Sequence, residues 1–301
     1  MKSLFRGLSA FPITPANAEG IVDTDGVGRL TQRLLDAGVD SIGIVGSTGI
    51  YPYLAHEERT RTIAAAAEVV RGQVPLIAGV GSLRTDETIR LAQDAARAGA
   101  DALLLTPLSY TPLTEDEVFE LYKAVCEATY LPIVVYNTPT TTHFRISRHL
   151  MARLTALPNV AAFKTPLPLA STVREELNSL REGATSHLSI GYSDDWGAAA
   201  ALMEGADTWY SVTAGLLPEL CVALTKAALA RKGGEVARLN ERLQPLWMLD
   251  RAFNSLRVAY AAANELGLTE AQPPLPILPL TKEERQGVAR ALRVAIDGTL
   301  D

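Results

Sequence analysis

Asn159-Val160-Ala161-Ala162-Phe163-Lys164-Thr165-Pro166-Leu167-Pro168 is an apolar run that stops at a lysine and then breaks into a proline-bounded loop. It reads as a buried β-strand delivering an amine to its C-terminal end. A lysine cut off from bulk water loses hydration of its ammonium form. Its pKa falls, and the free amine becomes a nucleophile able to form a Schiff base with a carbonyl substrate. The same lysine standing alone can snorkel to solvent along its alkyl stem. Its company along the chain decides between the two readings. The other lysines, Lys2, Lys123, Lys226, Lys232 and Lys282, all sit in polar or amphipathic surroundings.

Working outward, short apolar runs alternate with helical patterns. The strand candidates are Leu8 to Thr14, Ser41 to Val45, Leu76 to Val80, Ala102 to Thr106, Ile133 to Tyr136, Val160 to Lys164, Leu188 to Tyr192 and Thr208 to Val212. Helical periodicity covers Val27 to Ala37, His56 to Arg71 and Asp86 to Ala98, with glycines 38, 72 and 99 placed to end these helices in a left-handed turn. About eight strand–helix units in roughly 215 residues is the arithmetic of an α/β TIM (β/α)8 barrel. An open doubly wound sheet is the competitor, but Gly79-Val80-Gly81 lacks the third glycine of a dinucleotide fingerprint. Beyond Leu217 only helices are predicted: Leu217 to Arg231, Glu235 to Asp250, Arg251 to Glu265 and Lys282 to Ile296. The expected division is a catalytic barrel over residues 1–215 and a C-terminal helical extension over 216–301, with Gln272-Pro273-Pro274-Leu275-Pro276 as a packed crossing segment.

Composition narrows the function. A net charge of −6 with no basic block argues against nucleic-acid and anionic-membrane partners. Only Cys126 and Cys221 are present, far apart, so no disulfide framework is expected and a reducing cytoplasm fits. The opening Met1-Lys2-Ser3-Leu4-Phe5-Arg6 has no apolar signal core, and no run is long enough for a bilayer. His56, His143, His149 and His187 show no metal-ligand spacing, and no metal is expected.

In such a barrel, functional residues gather at the C-terminal strand ends. Polar residues fall there repeatedly: Thr14, Gly46-Ser47-Thr48-Gly49, Tyr136-Asn137, Lys164, Tyr192-Ser193-Asp194-Asp195 and Ser211-Val212-Thr213. Strands five and six are consecutive and should be neighbours, so Tyr136 and Lys164 can share a pocket.

With these residues in place the sequence resembles the pyruvate-dependent class I lyases of the dihydrodipicolinate synthase and N-acetylneuraminate lyase family, over roughly residues 5 to 215 and more loosely along the tail. Four segments carry the resemblance: Gly46-Ser47-Thr48-Gly49, Tyr136-Asn137-Thr138-Pro139, Lys164, and Tyr210-Ser211-Val212-Thr213. It implies that Lys164 forms the imine and Tyr136 shuttles protons. Ser47, Thr48 and the backbone N–H groups around Gly46 and Gly49 would hold the pyruvate carboxylate. Thr141, Asp194, Tyr210 and Ser211 would contact the rest of the substrate. It also implies a homotetramer built as a dimer of dimers, and a covalent imine in place of any cofactor.

Three departures bear on the subtype. Ile50 stands where the family has a glutamate. Ser109, followed by Tyr110, stands where the synthases place a tyrosine that reaches across a dimer interface. Thr141 replaces an arginine that binds the aldehyde's carboxylate, and a threonine cannot form a bidentate charge-assisted pair. The expected activity is therefore aldol cleavage, aldol condensation or dehydration of a 2-oxo acid or sugar acid. Dihydrodipicolinate (4-hydroxy-tetrahydrodipicolinate) synthase activity, condensing pyruvate with aspartate semialdehyde, is the alternative. A catalytically silent oxo-acid-binding barrel is the alternative of another class. The acidic pair Asp194-Asp195 is a candidate for sugar-acid hydroxyls or for a solvated helix start, and His143 a candidate for the pocket wall.

Overall fold

The computed structural model describes residues 4–185 and 187–298, so Met1, Lys2 and Ser3 of the amino-terminal stretch lie outside the described residues. Its strands are β1 (Gly7–Ala10), β2 (Ser41–Ile44), β3 (Leu76–Gly79), β4 (Ala102–Leu105), β5 (Ile133–Tyr136), β6 (Val160–Thr165), β7 (Ser189–Tyr192) and β8 (Thr208–Ser211). Each pairs in parallel with the next, and β1 closes on β8, giving the expected TIM barrel. Every predicted strand forms. β1 is shorter than its apolar run because Pro12 has no N–H to give to a ladder and fixes φ.

Helices α1 (Thr24–Ala37), α2 (His56–Val70), α3 (Thr85–Arg97), α4 (Glu115–Ala128), α5 (Pro139–Thr142), α6 (Arg148–Thr155), α7 (Val173–Gly183) and α8 (Asp195–Met203) fill the connections. Their ends follow local chemistry. Thr114 and Thr172 open α4 and α7 with capping boxes closed by Glu117 and Glu175. Gly38 ends α1 at φ 79°. The tail forms α9 (Pro218–Leu229), α10 (Gly233–Phe253), α11 (Ser255–Glu265) and α12 (Lys282–Asp297). The break between α10 and α11 falls at Asn254, φ 74°, rather than between Asp250 and Arg251.

Strand alternation divides the apolar residues between two cores. Outward-facing residues such as Leu103, Leu105, Ile133, Val135 and Phe163 pack against the helices in one continuous core. A smaller core fills the barrel: Phe5, Phe11, Ile77, Ala102, Leu104, Val134, Tyr136, Ala162 and Tyr210. Val134 and Tyr136, Ala102 and Leu104, are pairs two residues apart on one strand face. Ala162 and Lys164 have the same spacing, so the lysine stands above Ala162 at the top of the barrel interior.

The extension is tied to the barrel by buried polar bonds. Trp247 of α10 meets Trp209 of β8 edge to face at 6.5 Å and donates from Nε1 to Thr213 Oγ1 at 2.9 Å. Tyr260 of α11 donates to the Thr14 carbonyl at 2.8 Å. The proline-rich segment departs from the sequence reading. Pro273 and Leu280 are buried, but Leu275 and Leu278 are 76% and 65% exposed, so the segment runs over the surface instead of being packed within it.

Gly191 of β7 leaves room inside the barrel. A Cβ there would lie 2.5 Å from the Thr208 carbonyl oxygen and 2.6 Å from the Tyr210 ring. Gly191→Ala is expected to destabilise the protein by about 1–3 kcal/mol through overpacking, read as a lower urea midpoint. An unchanged midpoint would show that the barrel interior yields more easily than these contacts imply.

Candidate active site

The top of the barrel opens into a cavity of about 920 Å3. Lys164 reaches it from β6, and Cα pairing sets Tyr136 of β5 directly beside it. The lysine is 4% exposed. Its Nζ lies 3.9 Å from the Phe11 ring centre, 4.1 Å from that of Tyr136 and 5.6 Å from that of Tyr210. Gly43 and Gly46 make room for Phe11, since a Cβ on either would come within 2.2 Å or 2.8 Å of its ring. Burial pulls the Lys164 pKa below the usual lysine range, against the opposing fields of the Tyr136 phenol and the Asp195 and Asp194 carboxyls. The three rings pack around the amine and present π faces to a cation at that position.

Beyond β2 the chain turns through the glycine loop between two β-branched residues at positive φ, Val45 at 47° and Ile50 at 53°. Such residues rarely adopt this conformation, and the strain is local to the cavity wall. Gly49 is required by close approach: a Cβ there would lie 2.9 Å from the Gly46 nitrogen. Ser47 and Thr48 line the cavity. Among the described residues the amides of Ser47, Thr48 and Gly49 make no hydrogen bond within the protein, which leaves them as donors. Gly46 and Gly49 shape this turn from behind.

Asp194 and Asp195 separate in role. Asp195, a candidate for a solvated helix start, is fully enclosed. It accepts from Trp209 Nε1 at 2.7 Å, from the Thr213 amide at 2.8 Å and from Thr213 Oγ1 at 2.5 Å. Burial still holds its pKa above the ordinary carboxylate value. Asp194 accepts from the Leu167 amide at 2.9 Å and lines the cavity, its pKa pushed up to about 6 by burial. Tyr210 lines the floor with a buried hydroxyl that finds no hydrogen-bond partner among the described residues. Ser211 does not line the cavity; its Oγ accepts from the Ala214 amide at 2.9 Å, so it fixes the turn after β8. Thr141 lines the rim and accepts from Thr138 Oγ1 at 3.3 Å.

Two further candidates lie elsewhere. His143, in the left-handed turn that ends α5, is exposed and away from the wall, because its backbone at φ 56° turns the chain outward. Ser109 and Tyr110 do not line the cavity of this chain: the serine bonds to the Thr111 carbonyl, and the tyrosine is 96% exposed. Among the described residues no group of three or more His, Cys, Asp or Glu side chains is gathered as metal ligands would be. Cys126 and Cys221 are buried free thiols. No helix among the described residues is long and apolar enough to cross a membrane.

The comparisons agree with this geometry. The profile described as the Dihydrodipicolinate synthetase family matches residues 4–295. The chain belongs to this family. A 4-hydroxy-tetrahydrodipicolinate synthase of Phenylobacterium zucineum (strain HLK1) is 34% identical over 292 residues, covering 97% of this chain and 98% of the relative. A crystal structure of a dihydrodipicolinate synthase from Agrobacterium tumefaciens str. C58 superposes with a TM-score of 0.96 at 53% identity, covering 97% of this chain and 98% of that one. A monomeric dihydrodipicolinate synthase variant superposes with a TM-score of 0.88 at 26% identity, covering 99% and 98%. The protein is therefore an enzyme of the Schiff-base-forming, pyruvate-dependent lyase class that the sequence indicates.

Sequence reasoning missed several residues of the wall. Phe11 sits just past a strand end, where an aromatic residue was a readable signal. Tyr51, buried behind the glycine loop, lines the cavity under the Arg59 guanidinium at 5.3 Å, and burial pushes its phenol up to about 12. Asp250 to Arg257 come from the α10–α11 junction, and no local pattern announces that a distant helical joint reaches the barrel mouth.

The Lys164 environment gives a signed prediction. With the folded pKa depressed from 10.5, burying this amine costs stability at pH below that value. Lys164→Met should raise the unfolding temperature at neutral pH, and the gain should shrink as pH approaches 10.5, where the unfolded lysine is also uncharged. A gain that grows with pH would contradict a depressed pKa.

Proposed function

We propose that Lys164 is the imine-forming residue and that the reaction is aldol cleavage, aldol condensation or dehydration of a 2-oxo acid or sugar acid. The buried amine ringed by Phe11, Tyr136 and Tyr210 is the observation that carries this reading. The unprotonated Nζ adds to the C2 carbonyl of the 2-oxo acid. Tyr136 donates a proton to the carbinolamine oxygen, water leaves, and the iminium remains. Loss of a proton or of the aldol fragment from C3 places the electron pair in the enamine. The enamine then attacks an aldehyde carbon, whose oxygen takes a proton from Tyr136, or runs the same steps in reverse. Ser47, Thr48 and the free amides of the glycine loop hold the carboxylate beside the reacting carbon. The covalent imine is the electron sink, so this scheme uses no metal or organic cofactor.

Thr141 supplies no cation at the rim, which supports an acceptor other than aspartate semialdehyde. Asp194, raised by burial, suits a hydroxyl of a sugar-acid chain. Residues 1–215 act as the catalytic unit and 216–301 as the extension that walls it on one side. We place the enzyme in the cytoplasm as a homotetramer, with small-molecule substrates and no nucleic-acid or membrane partner.

Borohydride reduction in the presence of pyruvate, followed by peptide mass spectrometry, tests this reading. A pyruvate-sized adduct is expected on Lys164 and none in Lys164→Ala. An untrapped wild type beside a trapped control aldolase, with reversible thermal stabilisation by pyruvate, would support the silent oxo-acid-binding barrel instead. Tyr136→Phe should lower turnover by roughly 10²–10⁴-fold. Aspartate semialdehyde with pyruvate should turn over poorly, and a normal enzymatic rate would establish the synthase alternative.

A further inference from the structure

The cavity is far larger than pyruvate needs, and its outer wall is built by the extension. Asp250, Arg251, Ala252, Phe253, Asn254, Ser255, Leu256 and Arg257 line it without interruption. The positive φ of Asn254 breaks the helix there and turns the junction toward the barrel mouth. Among the described residues lining the cavity, the cationic side chains are Lys164, Arg251 and Arg257. Neither arginine is in a salt bridge among the described residues. Arg251 stacks on Trp196 with its guanidinium 5.5 Å from the ring centre, and Arg257 is held by the Leu278 carbonyl at 3.3 Å and the Phe253 carbonyl at 3.5 Å. Held this way, their remaining N–H groups stay available in the planar fork that suits carboxylates.

Three buried acids stand near this charge, and the Arg251 guanidinium acts directly on Asp194. Burial pushes Asp250 well above the usual carboxylate value and Asp194 to about 6, and it raises Asp195 as well. The Asp250 carboxyl makes no hydrogen bond within the protein among the described residues, although it lines the cavity. A half-buried carboxyl in that position is left to a ligand or to water.

We propose that the α10–α11 junction is the distal substrate subsite, where Arg251 and Arg257 bind a second carboxylate and Asp250 meets a chain hydroxyl. This rests on the imine reading and names its substrate class: a hydroxylated 2-oxo acid with a carboxylate at its far end. These arginines come from the extension and not from position 141, so they hold a far carboxylate at a different place in the cavity from the one that position would serve.

Calorimetric binding of galactarate and galactonate tests the subsite without any chemistry, because neither has a ketone for Lys164 and they differ only in a carboxylate against a hydroxymethyl end. Galactarate should bind the wild type on the order of 10- to 100-fold more tightly, as expected for charged hydrogen bonds. The preference should collapse in Arg251→Ala/Arg257→Ala and be partly restored in Arg251→Lys/Arg257→Lys. Asp250→Ala should weaken both ligands alike. Equal affinities in the wild type, or a preference that survives the double alanine change, would overturn the proposal. Pyruvate trapping on the wild type is scored separately: no adduct together with a retained diacid preference would overturn the imine reading and leave the subsite standing.

Discussion

An amine held out of water at the centre of a barrel is the constraint around which the rest of this protein is arranged. Lys164 is placed by a strand whose other inward residue, Ala162, is small enough to leave the lysine stem room. The rings of Phe11, Tyr136 and Tyr210 close on its end. Glycines 43, 46 and 191 exist where they do because those rings occupy the space that a Cβ would need. Burial opposes the charge on the amine, while the π faces favour a cation once it is covalently fixed. The same environment therefore suits both an uncharged amine and a cation fixed in its place.

Around that centre the barrel assembles groups from six strand ends and one remote helical joint. The glycine loop offers amides freed by a strained turn between Val45 and Ile50. Asp195, at the cavity wall, spends its oxygens on Trp209 and Thr213, and Thr213 in turn accepts from Trp247. This buried chain joins α8, β8 and α10, so the extension is keyed to the floor of the active site as well as to its mouth. Removing Asp195 would loosen both at once.

Much of this was legible in the sequence. Short apolar runs alternating with helical patterns placed all eight strands, and strand order made Tyr136 and Lys164 neighbours. Ser47, Thr48, Thr141, Asp194 and Tyr210 do face the cavity. The misplacements have local causes. Ser211 turns into a cap for Ala214, and His143 is carried outward by its left-handed backbone. Asp195 lines the cavity beside Asp194, but its oxygens are taken by an indole and a threonine from later in the chain.

The sequence by itself determined the barrel, the lysine at the end of its sixth strand and the uncharged residue at position 141, because alternation, strand-end position and residue type are properties of the chain taken in short windows. Tertiary structure alone decided which rings enclose the amine and that Asp250, Arg251 and Arg257 complete the cavity wall. Those residues lie some 90 positions beyond Lys164, and their approach depends on how four helices pack back over the barrel. No periodicity within the chain encodes that placement; it follows from burial of Trp247 and Tyr260 against the barrel and from the break at Asn254.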